Sequence, residues 1–298
     1  MLNLDLPKNF FGFFNFIKIF KIIFKLRIFF MKNKFDIIFL HTPLISHFVR
    51  ISTFGLNLNI YYFVHGYRFH TKVKFIYRSL FFLIEYILSF NTKNYIVINS
   101  EDMKYTRKYF SKNFLYLNGI GVDLIDKPIP KKNISNQFTV GVVAGYKKIK
   151  GYDDIIYVAD KLRNIKNINF STFGYEDNTK YVKIINKLKL KNIKMNEFVT
   201  DIYNEIDKFD ILLHLSKREG LSTVTIQSLH RGVPVIGYNT RGVRDLIINT
   251  FNGLLINFND KDKAVSAIKF LYENSSLYYS MQKKATKSID VTFSKKNS

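Results

Sequence analysis

Residues 211–238 read ILLHLSKREGLSTVTIQSLHRGVPVIGY, and their pattern decides the fold. ILLHLS (211–216) and VPVIGY (233–238) are short, nearly continuous apolar runs of strand length. Between them a polar turn, KREG, leads to a Ser or Thr able to cap a helix that ends before Gly-Val-Pro. Strand, helix and strand joined in this way form a βαβ unit with parallel strands buried on both faces. Outward from this unit the alternation continues. FTVGVVAGY (138–146), INFSTFG (168–174), a short run near 193–198 and NGLLIN (252–257) read as strands. Helices are expected over 151–164, 179–190, up to 208, and twice after 257.

The N-terminal half repeats the rhythm. FDIIFLH (35–41), NIYYFVHG (59–66), NYIVINS (94–100) and NFLYLNG (113–119) read as strands. PLISHFVRISTFG (43–55), residues 72–92 and EDMKYTRKYFSK (101–112) read as helices. The segment DKPIPKKNISNQ (126–137), with two prolines and many polar residues, breaks the alternation. The expected organisation is an α/β chain of two Rossmann-like, doubly wound domains, 1–130 and 138–298, joined by a linker at 131–137 and facing across a cleft. Ligands bind such folds outside the carboxyl ends of the strands.

The 298 residues carry a formal charge of +23 and a pI near 9.8, which calls for an anionic partner: nucleic acid, an anionic membrane face or a phosphorylated small molecule. No recognisable nucleic-acid-binding module accompanies the basic residues, so nucleic acid is not the expected partner. The absence of cysteine excludes disulfides and thiolate metal sites and fits a reducing, cytoplasmic compartment. FFGFFNFIKIFKIIFKLRIFF near the N-terminus is apolar but interrupted by Lys18, Lys21, Lys25 and Arg27, and no uncharged run reaches the roughly 18 residues of a spanning helix. No small-residue cleavage site follows it. Lys18, Lys21 and Lys25 fall on one stripe of a helix, so a basic amphipathic helix is expected, packing its apolar face on a sheet or also touching an anionic membrane surface. Residues 1–34 hold seven basic and one acidic side chain.

The chemistry-bearing residues cluster in the opening segment. Unpaired N–H groups at the start of the helix near Ser222 and Thr223 suit a phosphate. Glu219, just before them, suits hydroxyl groups instead. A ligand with both phosphates and hydroxyls satisfies both, and a nucleotide-sugar is such a ligand. Competing chemistry is thin: there is no His-Glu-x-x-His, P-loop or Gly-x-Ser-x-Gly, and Asp260-Lys261-Asp262 opens a helix where acids serve as caps.

The segment resembles the donor-binding signature of glycosyltransferase family 4, enzymes of the GT-B fold, whose motif is Glu, seven residues, Glu. The similarity is greatest to bacterial enzymes of capsular and exopolysaccharide assembly. HTPLISHFVR (41–50), NIYYFVHGYRFH (59–70), the helix containing Glu85, INSEDMKYTRKYF (98–110), GIGVD (119–123) and RGVRDLI (241–247) agree in order. The resemblance implies a retaining, metal-independent transfer of a sugar from a nucleotide-sugar donor to a lipid-linked saccharide acceptor, at the inner face of the cell membrane. It places Glu219 and His65 at the transferred sugar and Lys150 at the diphosphate, with Gly220, Leu221, Ser222 and Thr223 in the donor site. Gln227 stands where the family has its second Glu, on the ribose. The family's usual Arg falls on Gly145, so Lys147 or Lys148 is the expected substitute phosphate contact. The chain starts beyond the family's first strand and stops before its returning helix, so a non-catalytic nucleotide-binding remnant is the alternative reading. A basic nucleic-acid-binding protein is a more distant one.

Overall fold

The computed structural model describes residues 13–69, 73–111, 113–124, 137–289 and 291–294. Of the expected linker at 131–137, all but Gln137 lies outside the described residues. The chain forms two compact units, Met1–Leu117 and Asn118–Ser298.

The first unit contains α1 (Phe13–Lys32), β1 (Ile38–Leu40), α2 (Pro43–Ser52), β2 (Ile60–Val64), α3 (Phe75–Ser89), β3 (Asn94–Val97), α4 (Ser100–Tyr105) and β4 (Phe114–Tyr116). Its four strands are parallel and lie in the order β1-β2-β3-β4. Alternate strand residues point to one face, and Leu40, Ile60, Tyr62, Val64, Tyr95 and Val97 meet Ile22 and Leu26 of α1 and Phe48 and Val49 of α2 there. The helix expected over 101–112 is α only as far as Tyr105 and widens to a π turn over Thr106–Phe110. Thr106 accounts for the change: its hydroxyl donates to the Asp102 carbonyl at 2.9 Å and bonds the Tyr67 hydroxyl at 2.7 Å.

The second unit contains β5 (Phe138–Val143), α5 (Tyr152–Leu162), β6 (Ile168–Phe173), α6 (Thr179–Lys187), β7 (Ile193–Asn196), α7 (Tyr203–Ile206), β8 (Ile211–His214), α8 (Thr223–His230), β9 (Val235–Tyr238), β10 (Gly253–Ile256), α9 (Lys261–Glu273) and α10 (Ser275–Ala285). All six strands are parallel, in the order β10-β9-β8-β5-β6-β7. One cluster packs α5, α6, α9 and α10 on one face of the sheet, and a second packs Val224, Ile226 and Leu229 of α8 with Ile206 of α7 on the other. This unit is doubly wound. The chain direction across the sheet reverses between β5 and β8, which pair through Val140 with Ile211 and Gly141 with Leu212. The loops leaving the carboxyl ends of these two strands therefore diverge and leave a crevice, the place where open α/β sheets bind ligands.

Candidate functional site

Two loops make the crevice. After β5 the chain turns through Gly145 and a short 3-10 turn, Lys148–Lys150, into α5. After β8 it runs through Ser216–Leu221 to α8. The Lys217 N–H donates to the Ile149 carbonyl at 2.9 Å, and the Lys217 ammonium lies 3.2 Å from Asp154 at the start of α5. Gly151 holds φ at 84°, and a Cβ there would lie 2.2 Å from the Leu215 carbonyl oxygen, so only glycine allows the two loops to close up.

Ser222 is the residue that caps α8; its Oγ accepts from the Thr225 N–H at 3.3 Å and from the Thr225 hydroxyl at 2.9 Å. The Ser222 side chain is thus turned to the helix, whereas Thr223 is exposed at the first helical position. Behind the loop, a Cβ on Gly242 would come within 2.3 Å of the Gly220 carbonyl oxygen, and Arg241 Nε donates to the Glu219 carbonyl at 3.5 Å. The RGVRD segment is therefore the backing of the Glu219 loop.

A cavity of about 300 Å³ opens here, lined by Gly145, Lys150, Glu219, Leu221, Ser222, Thr223 and Gln227, with Tyr175 and Phe198 beside them. Lys150 Nζ lies 2.8 Å from Glu219 Oε1, and His214 Nε2 lies 3.3 Å from the same oxygen but off the line of a well-directed hydrogen bond. Burial pushes the Glu219 carboxyl up, yet His214 and Lys150 more than offset this and hold it at about 2. Glu219 is therefore a carboxylate throughout the neutral range. Gln227 reaches the Tyr203 hydroxyl, which burial pushes up to about 12.

Six of the residues singled out in the sequence line this one cavity: Lys150, Glu219, Leu221, Ser222, Thr223 and Gln227. Gly220 is in the same loop with its backbone against Gly242. Lys147 and Lys148 are exposed and do not line the cavity; Lys147 pairs instead with Glu176. A Cβ on Gly145 would lie 3.1 Å from both the Tyr175 ring and the Glu176 carboxylate, side chains that would have to give by a few tenths of an ångström to admit a larger residue. His65 belongs to the first unit, at the carboxyl end of β2, stacked on Phe63 and 3.3 Å from His41 Nδ1 through Nε2. Burial and the neighbouring His41 lower its pKa. His214 was not among the sequence candidates, and its signal was one polar residue inside the otherwise apolar run ILLHLS.

The model of the family of glycosyl transferases, group 1, matches residues 125–288, more than half of the chain. An uncharacterized 41.2 kDa protein of the cps region of Klebsiella pneumoniae is 26% identical over 253 residues, which cover 78% of this chain and 68% of that protein. The capsular polysaccharide biosynthesis glycosyltransferase CapM of Staphylococcus aureus is 24% identical over 252 residues. That match covers 78% of this chain and 66% of CapM, so the chain spans just under two thirds of CapM's length. The crystal structure of Anabaena Alr3699/HepE in complex with UDP-glucose has a TM-score of 0.73 at 15% identity, covering 93% of this chain and 78% of that one. The likeness shows the fold, the GT-B form of Rossmann-like α/β architecture.

Proposed function

Because the chain belongs to the group 1 glycosyl transferases, we propose that it transfers a sugar from a nucleotide-sugar donor, with retention of configuration, to a hydroxyl of a lipid-linked saccharide in surface polysaccharide assembly. The observation that carries this is the meeting of Lys150, Glu219 and the start of α8 in one cavity at the β5/β8 crevice. The chemistry matches the donor. As the glycosidic bond breaks, the departing diphosphate gains charge, and the Lys150 ammonium with the N–H groups of the α8 start would stabilise it. Glu219 accepts from sugar hydroxyls, and Gln227 hydrogen-bonds the ribose with a neutral amide in place of a carboxylate. His65 keeps the part the resemblance gives it, as a further candidate ligand of the sugar. These cationic groups supply the positive charge such a transfer needs, so the proposed reaction requires no metal. CapM's role in capsular polysaccharide biosynthesis supports surface polysaccharide as the product class, and HepE's complex with UDP-glucose supports a nucleotide-sugar donor. A lipid-linked acceptor puts the chain at the inner face of the cell membrane, with Lys18, Lys21 and Lys25 toward anionic lipid; all three are exposed on α1.

Calorimetric titration with nucleoside diphosphates and diphospho-sugars checks the proposal. Saturable binding of at least one nucleoside diphosphate is expected. No saturable binding by the folded protein to any of them would remove the donor site from the reading. Binding without transfer, over a panel of lipid-linked acceptors, would leave a nucleotide-binding protein and not an enzyme.

A further inference from the structure

Apolar surface is distributed unevenly over this chain. Of the 29 large hydrophobic side chains exposed among the described residues, 22 belong to the first unit, the smaller of the two. The most regular set is on α3, where Ile76, Leu80, Leu83, Ile87 and the adjoining Phe90 recur at helical spacing along one stripe. Ile76 is 78% and Phe90 72% exposed. A second stripe runs along α1 through Ile17, Phe20, Phe24, Ile28 and Met31, with Phe20 72% exposed. The spacing of its lysines predicts an α1 with a basic outer face and an apolar face packed inward. In the structure Ile22 and Leu26 face inward, while Lys18, Lys21 and Lys25 share the outer surface with the apolar stripe.

The two helices flank α2. Arg27 of α1 donates to the carbonyls of Ser52 and Phe54, and Glu85 of α3 bonds His47 and Arg50 of α2. Both stripes thus belong to one layer of helices over one sheet. Two aligned stripes of exposed apolar side chains are not the singly scattered surface hydrophobes of an ordinary monomer, and they ask for an occupant. Charge selects it. Lys18, Lys21, Lys25 and Lys74 are exposed on or beside the stripes, and Arg78 is half-buried among them. Of the described acids of this unit, Glu85 and Asp102 are buried, Glu101 is half-buried and only Asp36 is exposed. A second copy would bring like charge against this surface; an anionic bilayer brings the opposite charge and an apolar interior. Among the described residues no helix is long and apolar enough to cross a membrane, which leaves a position in the interface plane.

We propose that the outer stripes of α1 and α3 insert into the headgroup–acyl boundary of an anionic membrane, so that attachment has an apolar component beyond attraction of the lysines. This deepens the reading of a lipid-linked acceptor and rests on it for its setting, but its test uses no sugar transfer.

Flotation of the full chain with phosphatidylglycerol/phosphatidylcholine vesicles, at about 0.1 M and about 1 M salt, provides that test, because the Debye length falls from about 10 Å to about 3 Å and removes most surface attraction. Wild-type protein is expected to keep a salt-resistant bound fraction. Leu83→Glu with Ile87→Glu is expected to lower the partition coefficient at least about tenfold at high salt, since each side chain withdrawn from an apolar phase is worth about that factor or more. The milder pair Leu83→Ser with Ile87→Ser should shift it in the same direction. Phe270→Glu, an exposed apolar position of the second unit, should leave it unchanged. Lys18→Gln, Lys21→Gln and Lys25→Gln together should remove the preference for anionic vesicles at low salt and spare the salt-resistant part. Complete release of the wild type by salt, or equal flotation of the α3 pairs and the wild type, would overturn the proposal. So would self-association in sedimentation that the α3 pairs abolish, without flotation. Loss of the donor-site reading would appear in the nucleotide titration and not here.

Discussion

Replacing Glu219 by glutamine is expected to lower sugar transfer about ten- to a hundredfold while nucleoside diphosphate binding is kept or tightened. The rate effect follows from removing one charge-assisted hydrogen bond to the reacting sugar, worth about 1.5–3 kcal/mol if it is made mainly in the transition state. The binding effect follows from the geometry: Glu219 Oε1 takes the Lys150 ammonium at 2.8 Å, and a neutral amide competes for it less well. Since Glu219 is held at about 2 by His214 and Lys150 against the burial that pushes it up, the wild-type group is charged at any neutral assay pH and the comparison is one of charge against none. Lys150→Ala has a different signature, with nucleotide binding and turnover falling together, because the diphosphate is present in ground and transition states alike. Steady-state kinetics beside calorimetry separates the two. A Glu219→Gln protein transferring sugar at the wild-type rate would make Glu219 a loop acid whose only task is to hold Lys150.

The second large effect concerns folding of the first unit. Arg50 and Glu85 are both buried; Arg50 Nη2 donates to Glu85 Oε2 at 2.7 Å, His47 Nε2 lies 2.8 Å from Oε1, and the guanidinium sits 4.2 Å over the Tyr62 ring. Burial pushes the Glu85 carboxyl up, but Arg50 and His47 outweigh it and hold it below the usual carboxylate range. Glu85→Gln leaves a buried guanidinium without its counter-charge, at an expected cost of about 3–5 kcal/mol to this unit. Replacing both partners, Arg50→Met with Glu85→Leu, should cost far less, because the apolar pair needs no desolvation of charge. Urea unfolding followed by circular dichroism reads both, with the first unit's transition moving to lower urea in the single variant and recovering in the double. An unchanged midpoint in Glu85→Gln would show that this buried pair contributes nothing to stability.

The order of elements was legible in the sequence because parallel strands buried on both faces leave uninterrupted apolar runs and their crossover helices leave periodic ones. FTVGVV, INFSTF, ILLH and VIGY are strands where those runs stand. Ser222, Glu219 and Gln227 were legible together because one local segment, strand, loop and helix, fixes their spacing. Backbone exceptions were less so: the π turn after Tyr105 depends on the Thr106 hydroxyl meeting Tyr67, a contact 39 residues distant along the chain. Only the tertiary structure could bring Lys150 and Glu219, 69 residues apart, to 2.8 Å. Their meeting depends on β5 and β8 being neighbours at the reversal of strand order, which no local pattern encodes. The same holds for His214, one polar residue in an apolar strand until the fold sets it against a carboxylate. It holds too for Phe20 and Ile76, whose apolar character was plain but whose exposure depends on what the rest of the unit leaves uncovered. Periodicity determined which residues share a face; the packing of one element on another decided which face is buried and which charges stand close enough to shift one another.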